Sequence, residues 1–472
     1  MKVAVIGAGI SGLSVGQKLA ERGLEVFLVE KENHLGGLCQ SIKKDGLTFD
    51  LGPHNIHTSN PEIIDEMKVL LDGDLLTNKA KSQIYFRDKF VDYPFKGLSV
   101  FTSIDPLTAV LCGLDFARTR LQLRLNPGLN GYNYESWVTE RFGRKLYNIY
   151  FGPYTEKVWG VHPSQLSPIF AKKRIAVLSL FDLVKRYVLG MKGRYHSEDP
   201  DHVGSYYPRY GIGQLIDILA AQMAEERARI LSGHEVIAVE ADGNKINALV
   251  LRDAAVERRL EADFFINTMP LTELIKRMKP SAPREILEIA NQLRYRSMIF
   301  QYLVVRNRDV FRTPWVYFSD ASFPFNRAYE LAKFSPDVVS DGLNGLCFEI
   351  SCFEGDTLWE SDDHDIFLSV VQPMVRNGFI RESEIVDGFT VRREFVYPVF
   401  TMHYERQLKE LIRYLGRFKN IVTFGRQGLF TYVNVDNCME MGDELAHWLV
   451  GQASASRRTL FSPYVPDSSV WY

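Results

Sequence analysis

The chain has 472 residues, of which 46% are hydrophobic and 24% charged, enough apolar sequence for two or three interleaved globular domains. Its formal net charge of −2, without basic runs interleaved with aromatic residues, argues against a nucleic-acid-binding protein. Five scattered cysteines without CxxC spacing indicate neither a disulfide framework nor a zinc site, so no metal ligand is predicted.

The first predicted elements are a strand, a glycine-rich turn and a helix within the first 21 residues. Gly7 permits the tight turn, Gly9 lets the backbone approach a pyrophosphate, and Gly12 lets the helix pack on the strand. Glu30 ends the next apolar strand, where a carboxylate can bind a ribose 2′-hydroxyl. Because strand, turn, helix and acid follow in this order, the segment predicts a Rossmann-type dinucleotide-binding unit.

A second glycine pair, Gly36-Gly37, follows shortly after Glu30. Two adjacent glycines after the ribose-binding acid allow the chain to fold back over the cofactor, which favours FAD over NAD. An ordinary loop explains the pair equally well, so the glycines alone leave the choice open.

The rest of the chain alternates helical and strand-like patterns. A helix is predicted at residues 61–71, strands at 75–100 around a charged turn, and mainly helices from about 103 to 190, including 134–142 and 178–189. After a helix at 214–226 come strands at 235–240, 246–252 and 262–267, with a hairpin turn at 242–244. Residues 296–400 are typical of strands with one helix near 363–377, and a loop separates a strand at 420–424 from a helix at 435–450.

This order predicts an α/β fold with an N-terminal Rossmann-type FAD-binding domain and interleaved helical and antiparallel-sheet substrate domains. We expect the FAD-binding domain at 1–100, 201–295 and 406–450, the helical substrate domain at 101–200, the antiparallel-sheet substrate domain at 296–405, and a mobile tail at 451–472. The chain begins on a strand without a preceding signal peptide, and no apolar run approaches about 18 residues. These features predict a cytoplasmic protein without an integral membrane segment.

Three separated segments carry a family resemblance: 52–58 (GPHNIHT), 154–160 (YTEKVWG) and 425–432 (GRQGLFTY). Together they resemble the UDP-galactopyranose mutase branch of the superfamily that also contains amine oxidases and protoporphyrinogen oxidase. The resemblance runs in order through nearly the whole chain. The middle segment, which is similar to the Y-T-E-K-Q-W run of mutases, is the most specific.

The resemblance implies a set of substrate-binding residues. Tyr154 and Trp159 would line a sugar-nucleotide site, joined by Tyr397 and Tyr432. Arg174, in the pair Lys173-Arg174, and Arg327, at the end of a P-F-N-R run, would hold the pyrophosphate. Two arginines suit a diphosphate because each planar guanidinium can make paired, charge-assisted hydrogen bonds.

The resemblance also implies catalytic and cofactor-binding residues. His54 and His57 would lie beside the isoalloxazine ring, and the catalytic set would be His57, Arg174, Arg327 and Tyr397. Without the resemblance, either histidine is more simply a structural hydrogen-bonding residue. The predicted cofactor-binding set is Gly7, Gly9, Ser11, Gly12, Glu30, Lys31, Gly36, Gly37, Leu38, His54, Val236, Gly425, Arg426, Asn434, Val435 and Asp436.

The activity implied by the resemblance is ring isomerisation of a nucleotide-activated sugar through flavin N5, with reduced FAD, no net redox change and NAD(P)H as a candidate reductant. Lys96 and Asn434 stand where mutases carry asparagine and aspartate, which leaves the sugar open. The alternative is an FAD-dependent oxidase or dehydrogenase of an amine, porphyrinogen or carotenoid-like substrate. A non-enzymatic FAD-binding scaffold is the third interpretation. The implied partner is a small molecule, the implied setting is polysaccharide biosynthesis, and self-association is left open.

Overall fold

The computed structural model describes residues 1–78, 81–93, 105–125, 132–169, 204–226, 228–306, 309–340 and 342–451. Four features of the sequence prediction lie outside these residues: Arg174, Lys96, the helix at 178–189 and the tail from 452 onward.

The strands and helices are numbered in chain order over the described residues. The strands are β1 Lys2–Ile6, β2 Glu25–Val29, β3 Ser41–Lys44, β4 Leu47–Asp50, β5 Ile56–Thr58, β6 Leu75–Thr77, β7 Ser82–Phe86, β8 Lys89–Tyr93, β9 Gly204–Pro208, β10 Ala228–Leu231, β11 Glu235–Asp242, β12 Lys245–Asp253, β13 Val256–Glu261, β14 Phe264–Asn267, β15 Met278–Lys279, β16 Tyr295–Val305, β17 Trp315–Phe318, β18 Arg327–Glu330, β19 Asn344–Cys352, β20 Ile385–Pro398 and β21 Ile421–Thr423. The helices are α1 Ile10–Glu21, α2 Pro61–Leu71, α3 Pro106–Leu125, α4 Tyr134–Phe142, α5 Arg144–Leu146, α6 Gly152–Trp159, α7 Gly213–Glu225, α8 Leu271–Lys276, α9 Arg284–Gln292, α10 Thr357–Glu360, α11 Asp363–Arg376, α12 Tyr404–Leu415, α13 Gly425–Gly428 and α14 Val435–Leu449.

The N-terminal strands build a parallel sheet in the order β10-β2-β1-β14-β21. Its inner strands are continuous apolar runs because both faces are covered, as parallel sheets require. Helix α1 packs against both α7 and α14. The strands of this sheet come from three distant parts of the sequence, residues 2–29, 228–267 and 421–423.

A second large sheet has the strand order β20-β16-β19-β18-β17-β7-β8. Most of its pairs are antiparallel, as expected for residues 296–405, but β17 pairs with β7 in parallel. The prediction had placed β7 and β8 in the FAD-binding part at 1–100, and the structure corrects this. Local periodicity identifies such strands but carries no information on which sheet they join.

The predicted strands and helices are present over the described residues, whereas several observed elements, among them β10, β13, α8, α9 and α12, are not predicted from the sequence. One local difference is α13, a short helix inside the region expected to be a loop between residues 425 and 434. On β19, Cys347 and Cys352 are an odd number of residues apart and lie in two different apolar cores, one on each face of the sheet. All five cysteines are buried and free.

A buried carboxylate, Asp50 at the end of β4, connects several elements to the seven-stranded sheet. It accepts hydrogen bonds from the Ser41 hydroxyl at 2.5 Å and the Tyr207 hydroxyl at 2.6 Å, and from the Ile212 amide at 3.2 Å. Its backbone carbonyl accepts hydrogen bonds from two hydroxyls of the seven-stranded sheet, those of Tyr302 and Tyr329. One residue thus joins the β3-β4 ribbon, β9, the start of α7 and the large sheet. Among the described helices, none combines the length and apolar character needed to cross a membrane.

Candidate functional site

A cavity of about 670 Å³ lies between the parallel sheet and the seven-stranded sheet. It begins at the carboxyl ends of β1, β2 and β14, which is the binding edge of an open α/β sheet. Its far end is lined by Arg327, Glu349 and Tyr397 of the large sheet. The volume lies within the range of cofactor and small-molecule sites, about 300–1,000 Å³.

The glycine turn after β1 leaves room at one specific position. Gly7 has a φ of +97°, which favours glycine, and a Cβ on Gly12 would lie 1.9 Å from the Gly7 carbonyl oxygen. Gly9 differs from both, because its φ is −72° and a Cβ there would meet only the Gly36 carbonyl oxygen, at 3.9 Å. Packing of the protein therefore explains two of the glycines, whereas Gly9 borders open cavity. This is the space that a pyrophosphate at the start of α1 requires.

Glu30 is fixed at the cavity wall next to this turn. Its carboxylate accepts hydrogen bonds from the Ala8 amide at 2.8 Å and the Glu32 amide at 3.0 Å, one on each oxygen. Each carboxylate oxygen keeps a second lone-pair site for a ribose hydroxyl. The residue is 9% exposed and lines the cavity.

The second glycine pair folds the chain back onto the first turn. Gly36 and Gly37 have φ values of +105° and +56°, in the left-handed region. The Gly36 amide donates to the Ala8 carbonyl at 2.8 Å, and Gly9 and Gly36 form an isolated parallel bridge. The pair therefore has the geometry that the fold-back interpretation requires.

The C-terminal wall of the cavity is formed by the segment before α14. The Arg426 guanidinium lies over the Tyr432 ring at 4.7 Å, and its Nε donates to the Val433 carbonyl at 2.8 Å. Asn434 caps α14, and Asn434 and Val435 both line the cavity.

Most of the predicted cofactor-binding residues line this one cavity. They are Gly7, Gly9, Ser11, Glu30, Lys31, Gly36, Gly37, Leu38, His54, Val236, Arg426, Asn434 and Val435. Gly12, Gly425 and Asp436 do not line it. Gly425 packs on Ser11, where a Cβ would lie 2.5 Å from the hydroxyl oxygen, and burial raises the pKa of Asp436 to about 6.

The inner end of the cavity contains a buried ion pair. The Nε and Nη2 atoms of Arg327 donate to the two carboxylate oxygens of Glu349, each at 2.6 Å, and Nη2 lies 3.4 Å from the Tyr397 hydroxyl. Burial alone would lower the pKa of Arg327, but Glu349 raises it well above its ordinary value. Nη1 makes no hydrogen bond to a residue that the structure describes. It remains available to an oxygen atom of a ligand.

Aromatic rings surround this ion pair. Tyr397 stacks on Tyr432 with centroids 5.4 Å apart and an interplanar angle of 17°, and Trp159 lies 6.1 Å from Tyr397. Tyr154 is on the same helix as Trp159 and makes an edge contact with Tyr317 at 6.4 Å. The charge of Arg327 acts on the Tyr154 hydroxyl, although burial dominates and the pKa of Tyr154 is raised. Of the predicted aromatic residues, Tyr397 and Tyr432 line the cavity, whereas Tyr154 and Trp159 lie near Arg327 and Tyr397 but do not line it.

The structure separates the two predicted histidines. His54 lines the cavity, and burial together with the charges of Arg426 and Arg327 lowers its pKa to about 4. His57 does not line the cavity. Residues 56–58 form β5, paired with β9, and the His57 ring makes an edge contact with Trp315 at 6.4 Å. The prediction of His57 as a catalytic residue therefore has no support from its placement.

Sequence reasoning missed Glu349, the partner of Arg327. A usable signal was present, since Glu349 is a charged residue inside the apolar strand at 344–352. It also missed Arg393, which lines the cavity and donates to the Gln40 side chain at 3.0 Å. Within the described residues, no group of three or more acidic, histidine or cysteine side chains could hold a metal ion.

This chain is similar in sequence to one protein family and to a known protein. The family of flavin containing amine oxidoreductases matches residues 10–309. A probable UDP-galactopyranose mutase of Klebsiella pneumoniae is 26% identical over 184 residues, which cover 38% of this chain and 46% of that protein. The match therefore spans about half of that relative's length.

Two solved structures share the fold over nearly the whole chain. A reduced UDP-galactopyranose mutase has a TM-score of 0.81 at 23% identity, with 96% of each chain covered. A protein assigned as a protoporphyrinogen oxidase, from Exiguobacterium sp. 255-15, has a TM-score of 0.71 at 16% identity, covering 95% of this chain and 98% of that one. At these identities the likeness shows the fold and leaves the reaction undetermined.

Proposed function

The chain belongs to the family of flavin-containing amine oxidoreductases, and from this membership we propose that it is an FAD-dependent enzyme that isomerises the ring of a nucleotide-activated sugar. The family implies FAD, and the open space at Gly9 and the fixed carboxylate of Glu30 fit that cofactor. The residues that would hold it are the predicted cofactor-binding residues that line the cavity. When bound and reduced, the flavin supplies a nucleophilic ring nitrogen.

The observation that carries the proposal is the buried arginine at the inner end of the cavity. Arg327 lines the cavity and keeps Nη1 without a hydrogen bond to a described residue, and the charges of Arg426 and Arg327 both lower the pKa of His54, which lines the same cavity. Because Glu349 balances the charge of Arg327, the preference for an anionic substrate would come from Arg426 and from the remaining donor of Arg327. Arg327 would bind and orient a diphosphate through charge-assisted hydrogen bonds, which also stabilise negative charge on a leaving diphosphate.

The aromatic rings support the same interpretation. Tyr397 and Tyr432 stack on each other with Arg426 over the pair, so the space between the two rings is filled. Tyr397 would instead offer an apolar wall and a hydroxyl to a sugar or a base, while Trp159, which does not line the cavity, packs against Tyr397. His54, with its pKa at about 4, would be neutral at pH 7 and able to hydrogen-bond without adding charge.

The proposal includes finer properties that follow from the resemblance alone. Arg174 would be the second diphosphate-binding arginine, and NAD(P)H would reduce the flavin. The protein would act in the cytoplasm, in polysaccharide biosynthesis. The rival function is oxidation of an amine or a porphyrinogen-type substrate, which the family also hosts.

The test is an anaerobic titration of the purified flavoprotein with UDP-galactose, before and after reduction by dithionite. We expect a ring isomer, detected by chromatography, only in the reduced state, and no substrate-dependent oxygen uptake when the oxidised protein is mixed with UDP-galactose in air. Arg327→Ala should abolish binding in titration calorimetry, while Arg381→Ala, which removes an arginine that is 82% exposed and paired with Glu384, should leave it unchanged. If no sugar nucleotide binds and an amine bleaches the flavin, the enzyme is an oxidase.

A further inference from the structure

Lys157 connects α6, the helix that carries Tyr154 and Trp159, to the β17-β18 hairpin, which carries Arg327. The residue lies on α6, between Tyr154 and Trp159. Its Nζ donates to the backbone carbonyls of Phe318 and Asp320, each at 2.9 Å. Phe318 is the last residue of β17, Asp320 lies in the turn that follows it, and β18 begins at Arg327.

The turn is a rigid partner for this contact. The Phe318 amide donates to the Asn326 carbonyl at 2.9 Å, and the Asp320 carboxylate accepts from the Ser322 amide at 2.8 Å. The Phe318 ring packs at 4.8 Å from the ring of Phe323 within a buried aromatic core. Because the turn is anchored, a bond to it fixes the position of the helix.

The far end of α6 has its own attachment. Arg296 donates from Nε to the Val158 carbonyl at 3.1 Å and lies over the Phe353 ring at 4.2 Å. The helix can therefore remain folded without Lys157. Lys157 instead fixes the distance between Tyr154 on α6 and Arg327 on β18. The contact of Tyr154 with Tyr317 on β17 lies between the same two elements.

We propose that Lys157 is a positioning residue: its side chain sets the distance between Tyr154, on α6, and the diphosphate-binding Arg327. This inference rests on the proposed function, because only a bound sugar nucleotide makes that distance matter for affinity. A protonated ammonium has three donors and serves both carbonyls, whereas a neutral amine binds them more weakly.

Protonation of Lys157 changes within the physiological range. Burial lowers the pKa of Lys157 to about 7, and the Asp320 carboxylate, which belongs to the packed turn, opposes that shift. The helix should therefore be held more firmly near pH 6 than near pH 8.5. Substrate affinity should follow the same direction.

The test uses UDP-galactose, whose diphosphate diester keeps its charge over this pH range, and the FAD-loaded protein. We expect Lys157→Met to weaken binding roughly tenfold near pH 6 in titration calorimetry, about the value of one charge-assisted hydrogen bond. The affinity of the unmodified protein should fall toward that of the variant near pH 8.5. Lys157→Arg should keep its affinity across the range, since arginine stays protonated.

Lys68→Met is the matched control, because Lys68 is also a helical lysine but is 59% exposed and paired with Asp65 on the surface. It should leave affinity unchanged at both pH values. A loss in Lys157→Met that is equally large near pH 8.5 would overturn the inference, since the neutral amine would then hold the helix as well as the ammonium group does.

Hydrogen exchange separates this inference from the proposed function. In Lys157→Met, the amides of residues 318–326 and 152–159 should exchange faster than in the unmodified protein and in Lys68→Met. If no protein binds UDP-galactose but this difference is seen, the proposed function fails and Lys157 still positions the helix. Unchanged exchange in all variants would overturn the inference.

Discussion

At the scale of single residues, the pair of Arg327 and Glu349 dominates the inner end of the cavity. The side chains are 18% and 2% exposed, so both charges are largely removed from water. Such a pair is costly to break, because the remaining charge is left buried without its partner. Glu349 therefore has two consequences: it stabilises the position of Arg327, and it leaves only Nη1 for a ligand.

We expect Glu349→Gln to lower the free energy of unfolding by about 3 kcal/mol, since the guanidinium would keep its charge and lose its counter-charge. Chemical denaturation would measure this. Glu384→Gln, which affects an ion pair with the exposed Arg381, should change stability much less. Equal effects of the two substitutions would contradict the assignment of Arg327 and Glu349 as a buried pair.

At the scale of elements, the turn between β1 and α1 contains glycines that are needed for two different reasons: packing of the protein at Gly12 and space for a ligand at Gly9. Gly12 is needed by the protein, because any Cβ would overlap the Gly7 carbonyl. Gly9 is not needed by the protein in this way, because its φ of −72° suits alanine and a Cβ would have no atom within 3.9 Å. Its absence of a side chain serves a ligand.

Gly9→Ala should therefore fold normally but bind FAD at least about tenfold more weakly, because the methyl group occupies space needed by the pyrophosphate. Flavin absorbance after dialysis against FAD would measure occupancy, and circular dichroism would check the fold. Gly113→Ala on α3, where a Cβ has no described neighbour within 4 Å, is the control and should bind FAD normally. Full FAD binding by Gly9→Ala would show that the cofactor lies elsewhere.

At the scale of the whole molecule, Asp50 joins the β3-β4 ribbon, β9 and the start of α7 to the seven-stranded sheet. Burial raises its pKa to about 6, against hydrogen bonds from Ser41, Tyr207 and Ile212 that lower it. A carboxyl group whose pKa is raised by folding contributes stability below its unfolded pKa, near 4, and loses that contribution as the pH rises through about 6.

We therefore expect the unmodified protein to lose up to roughly 3 kcal/mol more stability than Asp50→Asn between about pH 4.5 and pH 7.5. Denaturant titrations at both pH values would show this difference. Asp45→Asn replaces an exposed aspartate in the β3-β4 turn and should retain the pH dependence of the unmodified protein. The prediction fails if Asp50→Asn and the unmodified protein show the same pH dependence.

The sequence by itself determined many of the local elements of this protein and the dinucleotide-binding turn at the carboxyl end of β1. The glycine turn, Glu30 and the Gly36-Gly37 pair lie within one stretch of about 35 residues, so their spacing alone encodes their geometry. Many strands and helices were also predicted, because their hydrophobic period is a local property, but elements such as β13, α9 and α12 were not. The family resemblance added Arg327, Tyr397 and Tyr432, which no spacing rule connects.

Only the tertiary structure decided which distant residues meet. Glu349 became the partner of Arg327 because β18 and β19 pair in one register, and His57 turned toward Trp315 because β5 pairs with β9. The sheet membership of β7 and β8 was likewise a matter of pairing. Register and strand order depend on contacts between segments far apart in the chain, and a one-residue slip would reverse every side chain. That information is distributed over both partners, so neither segment shows it alone.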